Sequence, residues 1–326
     1  MEKFKKYVIS AVQTNPRLQP IVFAISPLIR NCHLRKRRKL VVEDDGKCLF
    51  IVGCGRSGNT LLRRLLMEQY DIYIPPETYV LASQILDFKD NRNKPWPAQV
   101  DITLAKLEYH PEFETFGIPS LNAFAAEAKK WPVNKRSFHD LIIDLYKWMA
   151  TFHGRSVEWI GDKTPINTLS LGVIHMAFPS AKFIFMERDP VDVVASYLNS
   201  GIYSSPSDAA ERWLKSYLAW KRFSNLKCPN DLIEIKYEEL VSDSSKCIED
   251  IGTKFDIPLN HDKKGRSNME NPSLGDVEMR RHHSNVLSPP SMSSIGKGRS
   301  SISGDALNSV RNVIGNQAVK RGYDAI

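Results

Sequence analysis

The stretch FIVGCGRSGNTLLRRLL, Phe50 to Leu66, decides how this chain folds. Its first residues continue Cys48 and Leu49 into a short apolar run with β-branched members, which predicts a buried strand of a parallel sheet. Its last residues place leucines at helical spacing on one face, which predicts a helix. Gly53, Gly55 and Gly58 supply a tight turn between the two. Such a strand, turn and helix aim several backbone N–H groups at one point, where the helix dipole adds positive potential, so an anion is expected there. From Gly53 to Thr60 the residues match the triphosphate loop G-x-x-x-x-G-K-[ST] except that Asn59 stands for the lysine. Triphosphate enzymes use that lysine and a magnesium ion to neutralise the β- and γ-phosphates. Asn59 cannot do so. Arg56 still offers a fork of donors, and Ser57, Asn59 and Thr60 add neutral ones, which suits a less highly charged ligand held without a metal.

KFIFMERDP, Lys182 to Pro190, repeats the buried-strand pattern, and VDVVASYLNS after it reads as a helix with Pro190 in its first turn. DLIEIKYEEL, Asp231 to Leu240, reads as a third strand. This alternation predicts an α/β fold, a three-layer sandwich whose central parallel sheet carries helices on both faces and takes ligands at the carboxyl ends of its strands. HDLIIDLYKWMATF, His139 to Phe152, reads as core, and KDNRNKPWP, Lys89 to Pro97, as a surface loop or substrate rim. Lys263 to Ser301 reads as a long loop and GDALNSVRNVIGNQAVKRGYD as a closing helix.

The 326 residues, 42% hydrophobic and 25% charged, exclude a disordered or fibrous chain. A formal net charge of +8 points to an anionic partner. Nucleic acid is not expected, because aromatic and basic residues are not interleaved as single-strand binders require. The five cysteines, Cys32, Cys48, Cys54, Cys228 and Cys247, have no C-x-x-C spacing, so a reducing, cytoplasmic setting is expected. The first 47 residues read as a basic, amphipathic extension. Pro16, Pro20 and Pro27 break its apolar patches into pieces shorter than the roughly 20 residues that span a bilayer. Peripheral contact with an anionic membrane is the sharper reading of this segment, packing on the domain the plainer one.

GCGRSGNTLLRRLL resembles the 5′-phosphosulfate loop of the sulfotransferase family, G-x-x-R-S-G-T-T-L-L, with Asn59 in place of the first threonine. ERDPVDVVASYL resembles the same family's 3′-phosphate motif, an arginine at a strand end and a serine eight positions later, here Arg188 and Ser196. Two phosphate sites in this order imply one ligand, 3′-phosphoadenosine 5′-phosphosulfate (PAPS), with adenosine 3′,5′-bisphosphate (PAP) as product. PPETYVL is similar to the segment that carries the general base in the tyrosylprotein and bacterial branch, which implies that role for Glu77. GDKTP likewise implies for Lys163 a contact with the sulfate and bridging oxygen. IKYEELV, with Tyr237, and SIGKGRSSIS, with Lys297 and Arg299, resemble the late strand and the loop over the nucleotide.

The resemblance implies a single sulfotransferase domain over residues 48–326, with Glu77, Lys163 and Arg56 catalytic and no metal. The donor would be held by Gly55, Arg56, Ser57, Gly58, Asn59, Thr60, Arg188, Ser196, Tyr237, Lys297 and Arg299. The acceptor would be a hydroxyl, on a carbohydrate, metabolite or peptide, or less readily an amine. Asp189 and Asp192 read as a capping or turn pair, and His282 and His283, which a histidine-dependent sulfotransferase would use as bases, are not expected in that role because adjacent residues in a polar loop rarely converge on one atom. A P-loop kinase or NTPase is the rival enzyme, and a non-catalytic nucleotide- or glycan-binding protein on the same fold is the rival of a different kind.

Overall fold

The computed structural model of the chain describes residues 38–260 and 288–326. The expectations for the basic extension up to residue 37, for His282 and His283 and for most of the loop from Lys263 lie outside the described residues. Five strands form one sheet: β1 (Cys48–Gly53), β2 (Ile72–Tyr73), β3 (Trp159–Lys163), β4 (Lys182–Glu187) and β5 (Leu232–Lys236). Their order is β2-β3-β1-β4-β5, and every pairing is parallel. Parallel strands need crossover helices, which cover both faces. The expected α/β sandwich is what the chain adopts.

β1 lies at the centre with all six residues buried. Phe50 stacks on Phe183 of β4 with ring centroids 5.2 Å apart and meets Phe178 edge-on at 5.3 Å. Aromatic burial of this kind contributes about 1.5–3 kcal/mol per side chain. Register then sets the site: Ile51 pairs with Lys163 and Gly53 with Met186, so the ends of β3, β1 and β4 reach the same edge of the sheet.

The helices that serve this edge are α1 (Asn59–Gln69), α2 (Phe138–Phe152), α3 (Pro190–Asn199), α4 (Pro206–Ser224), α5 (Tyr237–Ser242) and α6 (Lys297–Ser301). The lead-in before β1 is packed rather than loose: the Leu40 carbonyl accepts from His139 N, and Asp44 accepts from the backbone of Gly46 and Ser180. Among the described residues no helix is long and apolar enough to cross a membrane.

Several elements differ from the sequence reading, among them the end of the expected loop from Lys263, where Lys297–Ser301 is helical. β3 is a strand that the sequence reading did not mark. Tyr237 does not continue β5 but opens α5, because Glu238 and Glu239 then fall in a helical first turn, where the dipole favours them. Trp96 of the expected surface loop is buried and donates its indole N–H to Ala128 O at 2.6 Å. The closing helix breaks at Gly315, whose φ of +54° ends Gly304–Ile314 before Gln317–Lys320 begins.

Candidate active site

The loop between β1 and α1 is built by close approach. Gly58 has φ +89°, and a Cβ there would lie 2.5 Å from Cδ2 of the Tyr237 ring. At Gly55 a Cβ would lie 2.5 Å from the Tyr197 hydroxyl beneath the loop. Glycine alone fits both. Arg56 has φ +68° without that freedom, a strained conformation of the kind found where the surrounding structure holds a functional loop in place. Thr168, in the turn after β3, fastens the loop's root: its hydroxyl accepts from Gly53 N at 2.8 Å and lies 2.9 Å from Gly53 O.

α1 is entered without a side-chain cap, so its first-turn N–H groups are left for another acceptor. The Ser57 hydroxyl is fully buried beside them and has no partner among the described residues. A buried, unpaired donor at a helix start is what an oxyanion would satisfy. Asn59 behaves differently. Its Nδ2 donates inward to Cys54 O at 2.8 Å, so its side chain braces the loop from within.

Lys163 ends β3 with 0% of its side chain exposed. Its Nζ lies 2.6 Å from Glu77 Oε1 and 3.2 Å from Thr60 Oγ1. An ammonium buried this far needs a carboxylate and a hydroxyl to offset its lost hydration. Glu77 and Lys163, 86 residues apart, thus meet directly at the start of α1.

At the other rim Arg56 Nε donates to Ser196 Oγ at 3.0 Å, and Arg188 donates to the Arg56 carbonyl at 3.3 Å. Burial pushes the Arg56 guanidinium below its usual range, and neighbouring Arg188 adds to this. Arg188 also donates to Ser294 O at 2.7 Å and lies 4.4 Å over the Tyr237 ring. Tyr237 and Ser294 join by their hydroxyls at 2.6 Å. The predicted Arg56, Arg188, Ser196 and Tyr237 therefore converge.

Asp189 caps α3 by accepting from Val191 N and Asp192 N, as expected of the pair. Asp192 does something else: 2% exposed, it accepts from Gly296 N at 2.8 Å, Gly298 N at 2.7 Å and Arg188 at 3.4 Å. It holds the loop from Ser294 to Gly298 against the rim formed by Arg56, Arg188 and Ser196. Gly298 permits the approach, since a Cβ there would lie 2.6 Å from the Val191 backbone. Lys297, exposed, opens α6 at the end of this loop. Arg299 donates to Ala325 O at 2.9 Å and Asp324 O at 3.0 Å and lies 3.6 Å from Asp189, next to Arg188. Sequence reasoning missed Thr168, Asp192 and Ser294, because each acts through a partner about a hundred residues away and no local motif marks it.

Residues 49–261 match the sequence pattern of the sulfotransferase family. The chain belongs to that family. It is 24% identical over 318 residues to protein-tyrosine sulfotransferase 1 of Danio rerio, covering 91% of this chain and 80% of that one. It is 28% identical over 149 residues to the nodulation protein NoeE of Sinorhizobium fredii, a match over 45% of this chain and 30% of that one. In three dimensions it resembles the sulfotransferase domain of the Synechococcus PCC 7002 olefin synthase, with a TM-score of 0.59 at 18% identity over 89% of this chain and 99% of that one. The sulfotransferase domain from the curacin biosynthetic pathway gives 0.54 at 16% identity, over 87% of this chain and 100% of that one. This sulfotransferase thus keeps the fold of its family, with Asn59 where the motif it resembles has a threonine.

Proposed function

We propose that this sulfotransferase moves the sulfuryl group of PAPS to a hydroxyl acceptor, with Glu77 as general base. The observation that carries this reading is the 2.6 Å meeting of Glu77 and Lys163 beside a loop whose far rim gathers Arg56, Arg188 and Ser196. PAPS supplies the activated sulfuryl group. Ser57, Thr60 and the first-turn N–H groups of α1 hold the 5′ end, and Arg188 and Ser196 hold the 3′-phosphate. Tyr237 and the loop carrying Lys297 flank the nucleotide.

Glu77 takes the proton from the attacking hydroxyl, an effect worth about 10²–10⁴ in rate. Lys163 is already at the base and gives its N–H donors to the oxygen on which charge develops. Arg56 adds a fixed positive charge at the same loop. A nucleotide-binding protein without catalysis would have no use for a buried lysine paired to a carboxylate at this point.

The reading is tested by calorimetric titration with PAP, with magnesium-ATP in parallel and Arg188→Ala as control. PAP binding without metal, lost in Arg188→Ala, supports the donor site, and binding of magnesium-ATP alone would overturn it. Turnover of ³⁵S-labelled PAPS is then followed against a tyrosine peptide, a simple phenol and an oligosaccharide. Transfer to an amine compound in place of every hydroxyl would refute the acceptor assignment.

A further inference from the structure

We propose that Asp162 and Thr78 are positioning residues that pin the segment carrying Glu77 to the strand end carrying Lys163, and so set the spacing of the reacting pair. This rests on the reading of Glu77 as the base. Successive strand residues face opposite sides of a sheet. Lys163 therefore faces Thr60 of α1, whereas Asp162 faces α2, with its carboxylate 1% exposed.

Neutral donors converge on that carboxylate, with the Thr164 side chain also within its reach. Thr78 Oγ1 donates to Oδ2 at 2.8 Å, the Tyr146 hydroxyl to Oδ2 at 2.9 Å and Asn167 Nδ2 to Oδ1 at 2.9 Å. A carboxylate accepts at both of its oxygens, so it takes these donors as they stand. Thr78 is bound a second time, its N–H donating to Thr164 Oγ1 at 3.0 Å.

The result is a continuous seam. Glu77 and Thr78 on one segment are joined to Asp162, Lys163 and Thr164 on the other, one residue after the next. A carboxylate is costly to bury, and core packing alone has no need of one. Here it fixes the neighbours of both reacting side chains on the face of the sheet opposite to them. Displacing a reacting group by about 1 Å costs about 10²-fold in rate, so the seam has a kinetic consequence.

The test compares Thr78→Val, Thr78→Ser and Tyr146→Phe, reading three quantities: turnover of ³⁵S-labelled PAPS with the best acceptor of the panel or, failing one, with water; PAP affinity; and hydrogen exchange of the peptide spanning residues 74–81. Thr78→Val and Tyr146→Phe each remove one donor from Asp162, but only Thr78 lies on the Glu77 segment. Positioning predicts that Thr78→Val lowers turnover about 10- to 100-fold, speeds exchange in 74–81 and leaves PAP affinity within about twofold. Thr78→Ser should restore both, and Tyr146→Phe should lose far less turnover for the same loss of Tm.

Equal turnover losses in Thr78→Val and Tyr146→Phe, following Tm alone, would overturn the proposal, as would unchanged exchange in Thr78→Val. Glu77→Gln is assayed alongside. Full turnover by that variant breaks the base assignment and not the seam, which the exchange measurement then decides separately.

Discussion

The two ends of the proposed donor site are held by opposite means. At the sulfuryl end, side chains meet inside the core: Lys163 on a strand, Glu77 opposite it, Thr60 on a helix, all fixed by sheet register and the buried Asp162 cluster. At the nucleotide end, loops are knotted to one another through backbone groups, with Asp192 gripping two glycine N–H groups and Arg188 gripping two carbonyls. The difference follows from what each end must do. Transfer of a group between two oxygens is sensitive to small errors in distance, and a strand end keeps distance best. Binding a phosphate needs donors that gather around it, and loops can supply those from several parts of the chain.

That contrast predicts how the ends should fail. The largest effect is expected from Glu77→Gln, which should reduce kcat about 10²–10⁴-fold while PAP still binds, as steady-state turnover beside calorimetry would show. Equal damage to kcat and PAP affinity would erase the distinction between the ends. Lys163→Met should follow, with about a 10²–10³-fold loss of kcat and a lower Tm, because Glu77 then loses its cation in a half-buried place.

Gly298→Ala acts at the other end. Its new Cβ would press on the Val191 backbone and push the loop off Asp192, so the Kd for PAP should rise by about 10-fold, roughly 1.4 kcal/mol, with a much smaller fall in kcat. A mainly kinetic defect would mean that the loop belongs to the reaction and not to binding. Asn59→Thr should be the mildest. Because Asn59 turns inward to Cys54 O, restoring the family's residue should change PAP affinity by no more than a few-fold in the same titration, and a larger gain would show that the side chain reaches the ligand.

Much of this site is legible in the sequence where local pattern and function coincide. Cys48 to Gly53 is a fully buried strand and reads as one, and the three glycines announce the turn. Arg188 and Ser196 are visible through the resemblance of ERDPVDVVASYL to a family motif, and their places at a strand end and on the next helix agree with it. WIGDK is less readable: β3 is buried by its neighbours β2 and β1, but a glycine, an aspartate and a lysine within five residues hide the apolar run that marks such strands. The alternation in IEIKYEEL likewise carries on past Lys236, although the chain turns into a helix at Tyr237. Asp192 shows the limit of local reading. It looks like half of a capping pair, and only the fold brings Gly296 and Gly298, more than a hundred residues later, onto its carboxylate.

Gly58 under the Tyr237 ring has an evolutionary consequence. The ring that forbids a Cβ at 58 also carries Arg188 on its face and Ser294 on its hydroxyl. Shrinking Tyr237 would open space above the loop, yet an alanine at 58 would still be penalised by φ +89°, while Arg188 would lose its support. The glycine turn and the aromatic beneath the arginine are thus packed as one unit, in which the aromatic answers to the turn below it and to the arginine above. Among divergent sequences of this fold, exchange of the aromatic is expected only where the loop has been rebuilt with it.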